Sequence, residues 1–225
     1  TLFRSARRAT HWYRSWKFVR RNRGRLIAAA LVLIVGMSAA TFKQVHYWRN
    51  GVVLFDRVLN AGYRPSIVLN NLGCALGDQG DHERAVQILG EAVSKSPGFI
   101  DGWNNYGTAL LNAQRTEEAI GVFHEVRKRS PAYFGAYHNL GLCFETLGKA
   151  DSAVYWYRAA LRITPTSIAS RTNLGRSLRL LGRFDEAIGE FTAVLDASPR
   201  DVKALLNRAE TLRQAGRCDR ARDDF

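Results

Sequence analysis

Apolar and polar residues follow a period of 34 along the chain from residue 66 to residue 225. When each period is numbered so that its proline is position 32, apolar or small residues recur at positions 4, 7, 8 and 11, which form one face of a helix. A second apolar face recurs at positions 20, 24 and 27, and polar residues with a frequent glycine at position 15 separate the two faces. The pattern therefore predicts two amphipathic helices in every period.

The prolines set the repeat boundaries, because a proline after the second helix stops it. The predicted repeats are numbered 1 to 5 and cover 66–99, 100–133, 134–167, 168–201 and, in part, 202–225. Position 8 is glycine in repeats 1 to 4 and alanine in repeat 5, position 20 is alanine in all five, and position 24 is leucine, phenylalanine or tyrosine. Small residues indicate where helices touch, and the large residue fills the remaining gap. Glycine at position 15 predicts a helix C-cap, except in repeat 2, which has Gln114.

These features together resemble the tetratricopeptide repeat across all five units. The resemblance implies an all-α fold, a solenoid of helix-turn-helix units that coil into a right-handed superhelix. Trp103 keeps the tryptophan of the family at position 4, and Tyr137 is a fair substitute. Leu69, Arg171 and Leu205 depart from the family at this position, which we expect to weaken local packing.

A different pattern precedes the repeats. Residues 1–25 hold nine basic side chains and no acid, and residues 26–42 carry no charge. The pattern predicts one transmembrane helix at 26–42, with the basic segment 1–25 in the cytoplasm. Everything after Lys43 would then be noncytoplasmic, in the periplasm or a lumen. A signal peptide cleaved after Ala40 and a core helix of a soluble protein are the alternatives.

Two shorter segments complete the domain organisation. Residues 43–65 fit the repeat register, so we expect YWRNGVVLFDRVL (47–59) to form a juxtamembrane half-repeat, a lone second helix that caps the stack. Residues 1–5, TLFRS, resemble the translated end of a sequencing adapter (ACG CTC TTC CGA TCT), which suggests that they come from the DNA preparation.

Charge and chemistry narrow the function classes. The net charge is +13, but nine of these charges lie in residues 1–25, so the rest of the chain carries 13 − 9 = +4 and no strongly basic domain for nucleic acid. The three cysteines form no CxxC pair and no Cys/His cluster, and the zinc-protease pattern at His124-Glu125 lacks its second histidine. The chain also lacks a phosphate-binding loop and a nucleophile elbow. We therefore predict no catalytic residue, cofactor or metal in this chain.

An asparagine at position 6 is the most regular polar feature of the repeats. It occurs as Asn71, Asn105, Asn139, Asn173 and Asn207. Position 6 points away from the partner helix, toward the concave surface of a superhelix. A row of carboxamides, each with donors and an acceptor, could hold an extended peptide by its backbone. The alternative is that these asparagines bond neighbouring repeats to each other, or have no role.

Resemblance favours the peptide-binding interpretation. A similar asparagine ladder contacts the substrate chain in the repeat superhelix of the O-linked N-acetylglucosamine transferase. The carboxylate clamp of other tetratricopeptide proteins needs lysine at position 5, which no repeat has here. Arg176, Arg179 and Arg213 would make the far end of the groove basic and favour acidic stretches of a partner, although a solvated arginine face explains them equally well.

Two functions follow from these observations. The first is a membrane-anchored scaffold that binds a protein or an extended peptide in its asparagine-lined groove. The alternative rests on the order of the apolar segment, QVHYWRNGVVLF (44–55) and the repeats, which resembles membrane proteins related to protein O-mannosyltransferases. That resemblance implies a substrate-recruiting arm of a polytopic glycosyltransferase, with the catalytic part upstream.

Overall fold

The structure, a computed structural model, describes Asn22 and residues 51–221. The chain divides into two compact units, Thr1–Leu54 and Phe55–Phe225, and the repeats lie in the second. The predicted transmembrane helix at 26–42 and, apart from Asn22, the predicted basic segment 1–25 lie outside the described residues. Within the described part of the chain, no helix combines the length and the apolar character that crossing a bilayer needs.

The described part of the second unit is built from pairs of helices, which confirms the all-α solenoid. Each first helix packs on the second helix of its own repeat and on the second helix of the repeat before it, and successive first helices also touch. Strands are absent from residues 51–221. The helices are α1 (Gly51–Asn60), α2 (Ser66–Asp78), α3 (His82–Lys95), α4 (Ile100–Asn112), α5 (Thr116–Arg129), α6 (Phe134–Thr146), α7 (Ala150–Ile163), α8 (Ile168–Leu180), α9 (Phe184–Ala197), α10 (Val202–Gln214) and α11 (Cys218–Ala221).

The contact between the two helices of a repeat depends on glycine at position 8. A Cβ atom on Gly141 would lie 2.5 Å from the ring of Tyr157, and one on Gly107 would lie 2.7 Å from the ring of Phe123. Both rings, at position 24, are fully buried. The glycine therefore makes the space that the aromatic ring occupies, as the sequence predicts.

The turn between the helices of a repeat needs a left-handed residue at position 15. Gly80, Gly148, Gly182 and Gly216 have φ between 69° and 84°. Gln114 adopts the same conformation, with φ of 62°, although it has a side chain. The shared backbone geometry thus overrides the local preference of the one residue that departs from glycine.

At three of the junctions between repeats, the side chain at position 4 donates a hydrogen bond to the proline carbonyl before it. Trp103 Nε1 donates to the carbonyl oxygen of Pro97 at 3.0 Å. In the next repeat the hydroxyl of Tyr137 donates to the proline carbonyl at 2.8 Å, and Arg171 Nη2 does so at 3.0 Å in repeat 4. Arg171 also pairs with Glu190 at 2.9 Å. At Arg171 a long donor therefore replaces the indole in the hydrogen bond to the proline carbonyl.

The segment before repeat 1 contains the short helix α1. Its Asp56 accepts a hydrogen bond from Arg84 of α3 at 2.8 Å, and Arg64 in the following turn donates to Glu91 of the same helix at 3.0 Å. Two ion pairs therefore connect residues 56–64 to the second helix of repeat 1.

Candidate peptide-binding groove

In the first three repeats, the position-6 asparagines bond one repeat to the next. Asn105 Nδ2 donates to Asn70 Oδ1 at 3.0 Å, and Asn139 Nδ2 donates to Asn104 Oδ1 at 2.9 Å. In both pairs the acceptor stands at position 5 of the preceding repeat. Asn105 and Asn139 are half-buried, so each bond satisfies a carboxamide at the junction. Asn71 has no preceding repeat to bond and is exposed.

The pattern changes between repeats 3 and 4, where position 5 is His138. Its Nδ1 lies 2.8 Å from the hydroxyl of Ser170, which is fully buried. The histidine therefore pairs with a serine, where the earlier repeats pair two asparagines. Asn173 instead acts on the hydroxyl of Tyr157, where it opposes the rise in the pKa of the phenol with an effect smaller than that of burial. That hydroxyl donates to Glu145 Oε2 at 2.8 Å. Burial and the neighbouring Glu145 raise the pKa of Tyr157, so the phenol stays protonated and can donate.

In repeat 5 the asparagine turns back to its own helix. Asn207 Nδ2 donates to the backbone carbonyl of Lys203 at 2.8 Å. The residue at position 5 of repeat 4 is Thr172, which has a short hydroxyl where repeats 1 and 2 have a carboxamide. The asparagine pair that connects earlier repeats is therefore missing between α8 and α10.

A groove of about 830 Å³ opens at this junction. Two position-6 asparagines and one of the predicted arginines line it, together with residues at positions 1, 2 and 5 and Asp201 at position 34 of repeat 4. Its lining residues are Ile168, Ala169, Thr172, Asn173, Arg176, Asp201, Lys203, Leu206 and Asn207. Ile168 and Leu206 are exposed in it, at 38% and 52%. The groove thus combines carboxamides with apolar surface, a composition that suits the backbone and the side chains of an extended peptide.

Only one of the three predicted arginines, Arg176, is among the residues that line the groove. Arg176 lines the groove and pairs with Glu145 at 2.9 Å. Arg213 pairs with Glu210 at 2.8 Å, and its hydrogen bond, followed by that of Gln214, lowers the pKa of Glu210 to about 2. Arg179 also acts on Glu210 by its charge, and its Nε is buried without a hydrogen-bond partner. Neither Arg179 nor Arg213 lines the groove.

A smaller notch of about 160 Å³ lies between the first helices of repeats 1 and 2. It includes Asn105, Cys74 and Gly77, which stands at position 12 where later repeats have larger residues. Burial, with a smaller effect of Asp78, raises the pKa of the Cys74 thiol, so this thiol is not activated. Within residues 51–221, no three or more histidine, cysteine or acidic side chains meet in a way that could hold a metal ion.

The predicted asparagines and Arg176 account for three of the nine lining residues, and the structure adds the other six. Lys203, Leu206 and Thr172 stand at positions 2 and 5 of the first helices and line the groove beside the asparagines. The signal was available, because positions 2 and 5 share a helix face with positions 6 and 9. What the sequence did not reveal is that the position-5 residue of one repeat decides the hydrogen bond of the next.

Comparison with known proteins relates this architecture to a family of repeats and to several solved structures. The family model described as "Tetratricopeptide repeat" matches residues 70–133, 107–168 and 172–225. No curated protein sequence matches the chain significantly. The chain is structurally similar to MamA (residues 41-end) from Desulfovibrio magneticus RS-1, with 19% identity, a TM-score of 0.64 and coverage of 71% of this chain and 90% of that one.

Two further solved structures are similar. TTC0263, described as a thermophilic TPR protein of Thermus thermophilus, has 21% identity, a TM-score of 0.63 and coverage of 78% of this chain and 95% of that one. YrrB, described as a TPR protein with an unusual peptide-binding site, has 19% identity, a TM-score of 0.58 and coverage of 76% and 88%. At these identities the likeness concerns the fold.

Proposed function

Because the chain belongs to the tetratricopeptide repeat family, we propose that it is a protein-interaction scaffold that binds an extended peptide of a partner protein in its concave groove. The observation that carries the proposal is the 830 Å³ groove between α8 and α10. There Asn173 and Asn207 line the groove and bond no asparagine of the preceding repeat. A carboxamide has two donor hydrogens and an acceptor oxygen, so the capacity that the array does not use can serve a peptide backbone. The peptide-binding site named for YrrB supports the same class of ligand for this fold.

The groove suits an extended chain better than a helix. Its walls are two first helices whose polar contacts, Asn173 and Asn207, recur at the spacing of one repeat. An extended peptide exposes all its backbone donors and acceptors to such contacts, whereas a helix satisfies its own. Ile168 and Leu206 supply apolar contact for side chains that alternate along the peptide.

Binding can be tested with a phage-displayed library of linear peptides, selected on the full chain in detergent. A selected peptide should lose about tenfold or more in affinity when Asn173→Ala and Asn207→Ala are combined, since each net hydrogen bond contributes about 0.5–1.5 kcal/mol. The melting temperature should change little. The matched control, Asn105→Ala with Asn139→Ala, should lower the melting temperature and leave the affinity nearly unchanged. The proposal would be refuted if the library yields no peptide whose affinity falls when Asn173→Ala and Asn207→Ala are combined.

The proposal also includes a membrane anchor at residues 26–42, with the repeats outside the cytoplasm. The uncharged segment and the nine basic residues before it support this arrangement. Expressed in cells, the chain should stay with membranes after alkaline extraction. The repeats should be cut by protease added from the noncytoplasmic side. Release by alkali, or a mature N-terminus at Thr41, would contradict the anchor.

The same arrangement is compatible with the arm of a polytopic glycosyltransferase. The segment 44–55, with its tryptophan between the apolar stretch and the repeats, is the feature that favours it. In that case the coding sequence upstream of Thr1 should contain further apolar spans and a loop with paired acidic residues. A start codon directly upstream would exclude this version and leave the scaffold.

A further inference from the structure

The guanidinium of Arg176 sits between a carboxylate of its own chain and the open groove. Glu145 Oε1 lies 2.9 Å from Arg176 Nη2, and its other oxygen accepts from the hydroxyl of Tyr157 at 2.8 Å. The Glu145 side chain is 18% exposed, whereas that of Arg176 is 46% exposed and lines the groove. Glu145 itself is not among the lining residues.

The cations of the groove come from both walls. Arg176 belongs to α8 and Lys203 to α10, and the carboxamides of Asn173 and Asn207 line the same groove. The acid in the lining, Asp201, accepts a hydrogen bond from the backbone N–H of Ala204 at 2.9 Å and so caps α10. Its charge is therefore directed to the positive end of that helix. Glu145 neutralises Arg176, which leaves the exposed Lys203 as the cation for a ligand in the free groove.

We propose that Glu145 is a built-in competitor, which pairs with Arg176 in the free groove and yields this arginine to an acidic side chain of the bound peptide. This inference rests on the proposed function and names the ligand class, an extended peptide with a carboxylate beside an apolar residue. A guanidinium has five N–H donors, so it can begin to donate to a second carboxylate while its hydrogen bonds to the first one lengthen. The phenol of Tyr157 keeps one oxygen of Glu145 hydrogen-bonded during the exchange, so Glu145 is not left unpaired.

The test uses two fluorescein-labelled peptides of equal length, one of alternating aspartate and leucine and one of alternating asparagine and leucine. Glu145→Gln keeps the shape and the hydrogen bond to Tyr157 but removes the charge. It should tighten binding of the aspartate peptide by about fivefold, as expected for loss of a competing ion pair of about 1 kcal/mol. Binding of the asparagine peptide should stay the same. Glu186→Gln, which removes an equal charge at an exposed pair with Arg183, is the matched control and should change neither affinity.

A second variant removes both charges of the pair, so it can be tested even if Glu145→Gln alters folding by leaving Arg176 without its carboxylate. Combining Glu145→Gln with Arg176→Gln preserves the net charge and should abolish the preference for the aspartate peptide. Unchanged or weaker binding of that peptide to folded Glu145→Gln, or a preference that survives the double change, would overturn the role of Glu145. If both peptides bind the wild-type chain equally, the groove binds peptides and the acidic class is wrong. If neither binds, and no library peptide does, the proposed function itself fails.

Discussion

The repeats at the two ends of the array use the same asparagine in opposite ways. Between repeats 1 and 2, and between 2 and 3, the position-6 carboxamide donates to an asparagine at position 5 of the repeat before it. Between repeats 4 and 5 the residue at position 5 is Thr172, and Asn207 bonds its own helix. A groove of about 830 Å³ is open at this junction. A shared motif therefore does not imply a shared role. The asparagine joins two repeats where the preceding repeat has asparagine at position 5, and it bonds its own helix where that residue is Thr172.

The largest effect is expected where the two regions meet, at Gly141→Leu. The new side chain would start 2.5 Å from the buried ring of Tyr157 and force repeat 3 apart. Overpacking of this kind should lower the free energy of unfolding by about 1–3 kcal/mol, measured by urea denaturation followed by circular dichroism. Gly121→Leu, where an added Cβ meets nothing within 4 Å, is the control and should not destabilise. Equal destabilisation by both would show that helix packing at position 8 is not the cause.

Thr172→Asn should convert the open junction into the closed type. The new carboxamide can accept from Asn207, as Asn104 accepts from Asn139. We expect a peptide selected on the wild-type chain to lose about tenfold in affinity, since a carboxamide that is bonded within the array must first be released. Fluorescence anisotropy measures this loss. Thr172→Val, which has nearly the same shape but no acceptor, should leave the groove open, and equal losses for both variants would contradict the mechanism.

Asn104→Ala makes the reverse change in the closed region. It removes the acceptor of the half-buried Asn139 and should lower the free energy of unfolding by about 1 kcal/mol. Amide hydrogen exchange should show the loss locally, in α4 and α6. Exchange that is unchanged in both helices would show that the asparagine pair does not hold the repeats together.

The smallest effect near neutral pH should come from His138. Burial lowers its pKa below the ordinary value of 6.5, and Glu145 opposes this with a weaker effect. The folded chain thus prefers the neutral ring, so its contribution to stability is complete above pH 6.5 and is lost as the pH falls below that value. Melting temperatures from pH 8 to pH 5 should fall more for the wild type than for His138→Asn. His124, whose pKa is also lowered by burial and by Arg127, is common to both proteins and cancels in the difference. Parallel curves would exclude His138 as the cause.

The fold could be predicted from the sequence because each of its constraints is local. Proline at position 32, glycine at position 8 and the residue at position 15 each act on their own turn or their own partner helix. The left-handed Gln114 shows the limit of this reasoning, because there the repeat geometry prevailed over residue preference.

The site could be predicted only in part, because its chemistry depends on pairs of residues from different repeats. The ladder includes Asn173 and Asn207, which line the groove. It could not separate them from Asn105 and Asn139, whose partners stand 35 residues earlier in the chain. Arg176 likewise pairs with Glu145 of the preceding repeat, which its neighbours along the chain do not reveal.

The dependence on position 5 has a consequence for how such arrays change over generations. Repeats of equal length arise by duplication, and under the proposed function a copy with asparagine at position 5 would add length without adding a binding site. One altered codon, from asparagine to threonine, would release the next carboxamide and create a recognition surface there. The place of binding could in this way migrate along the solenoid while the scaffold itself stays the same.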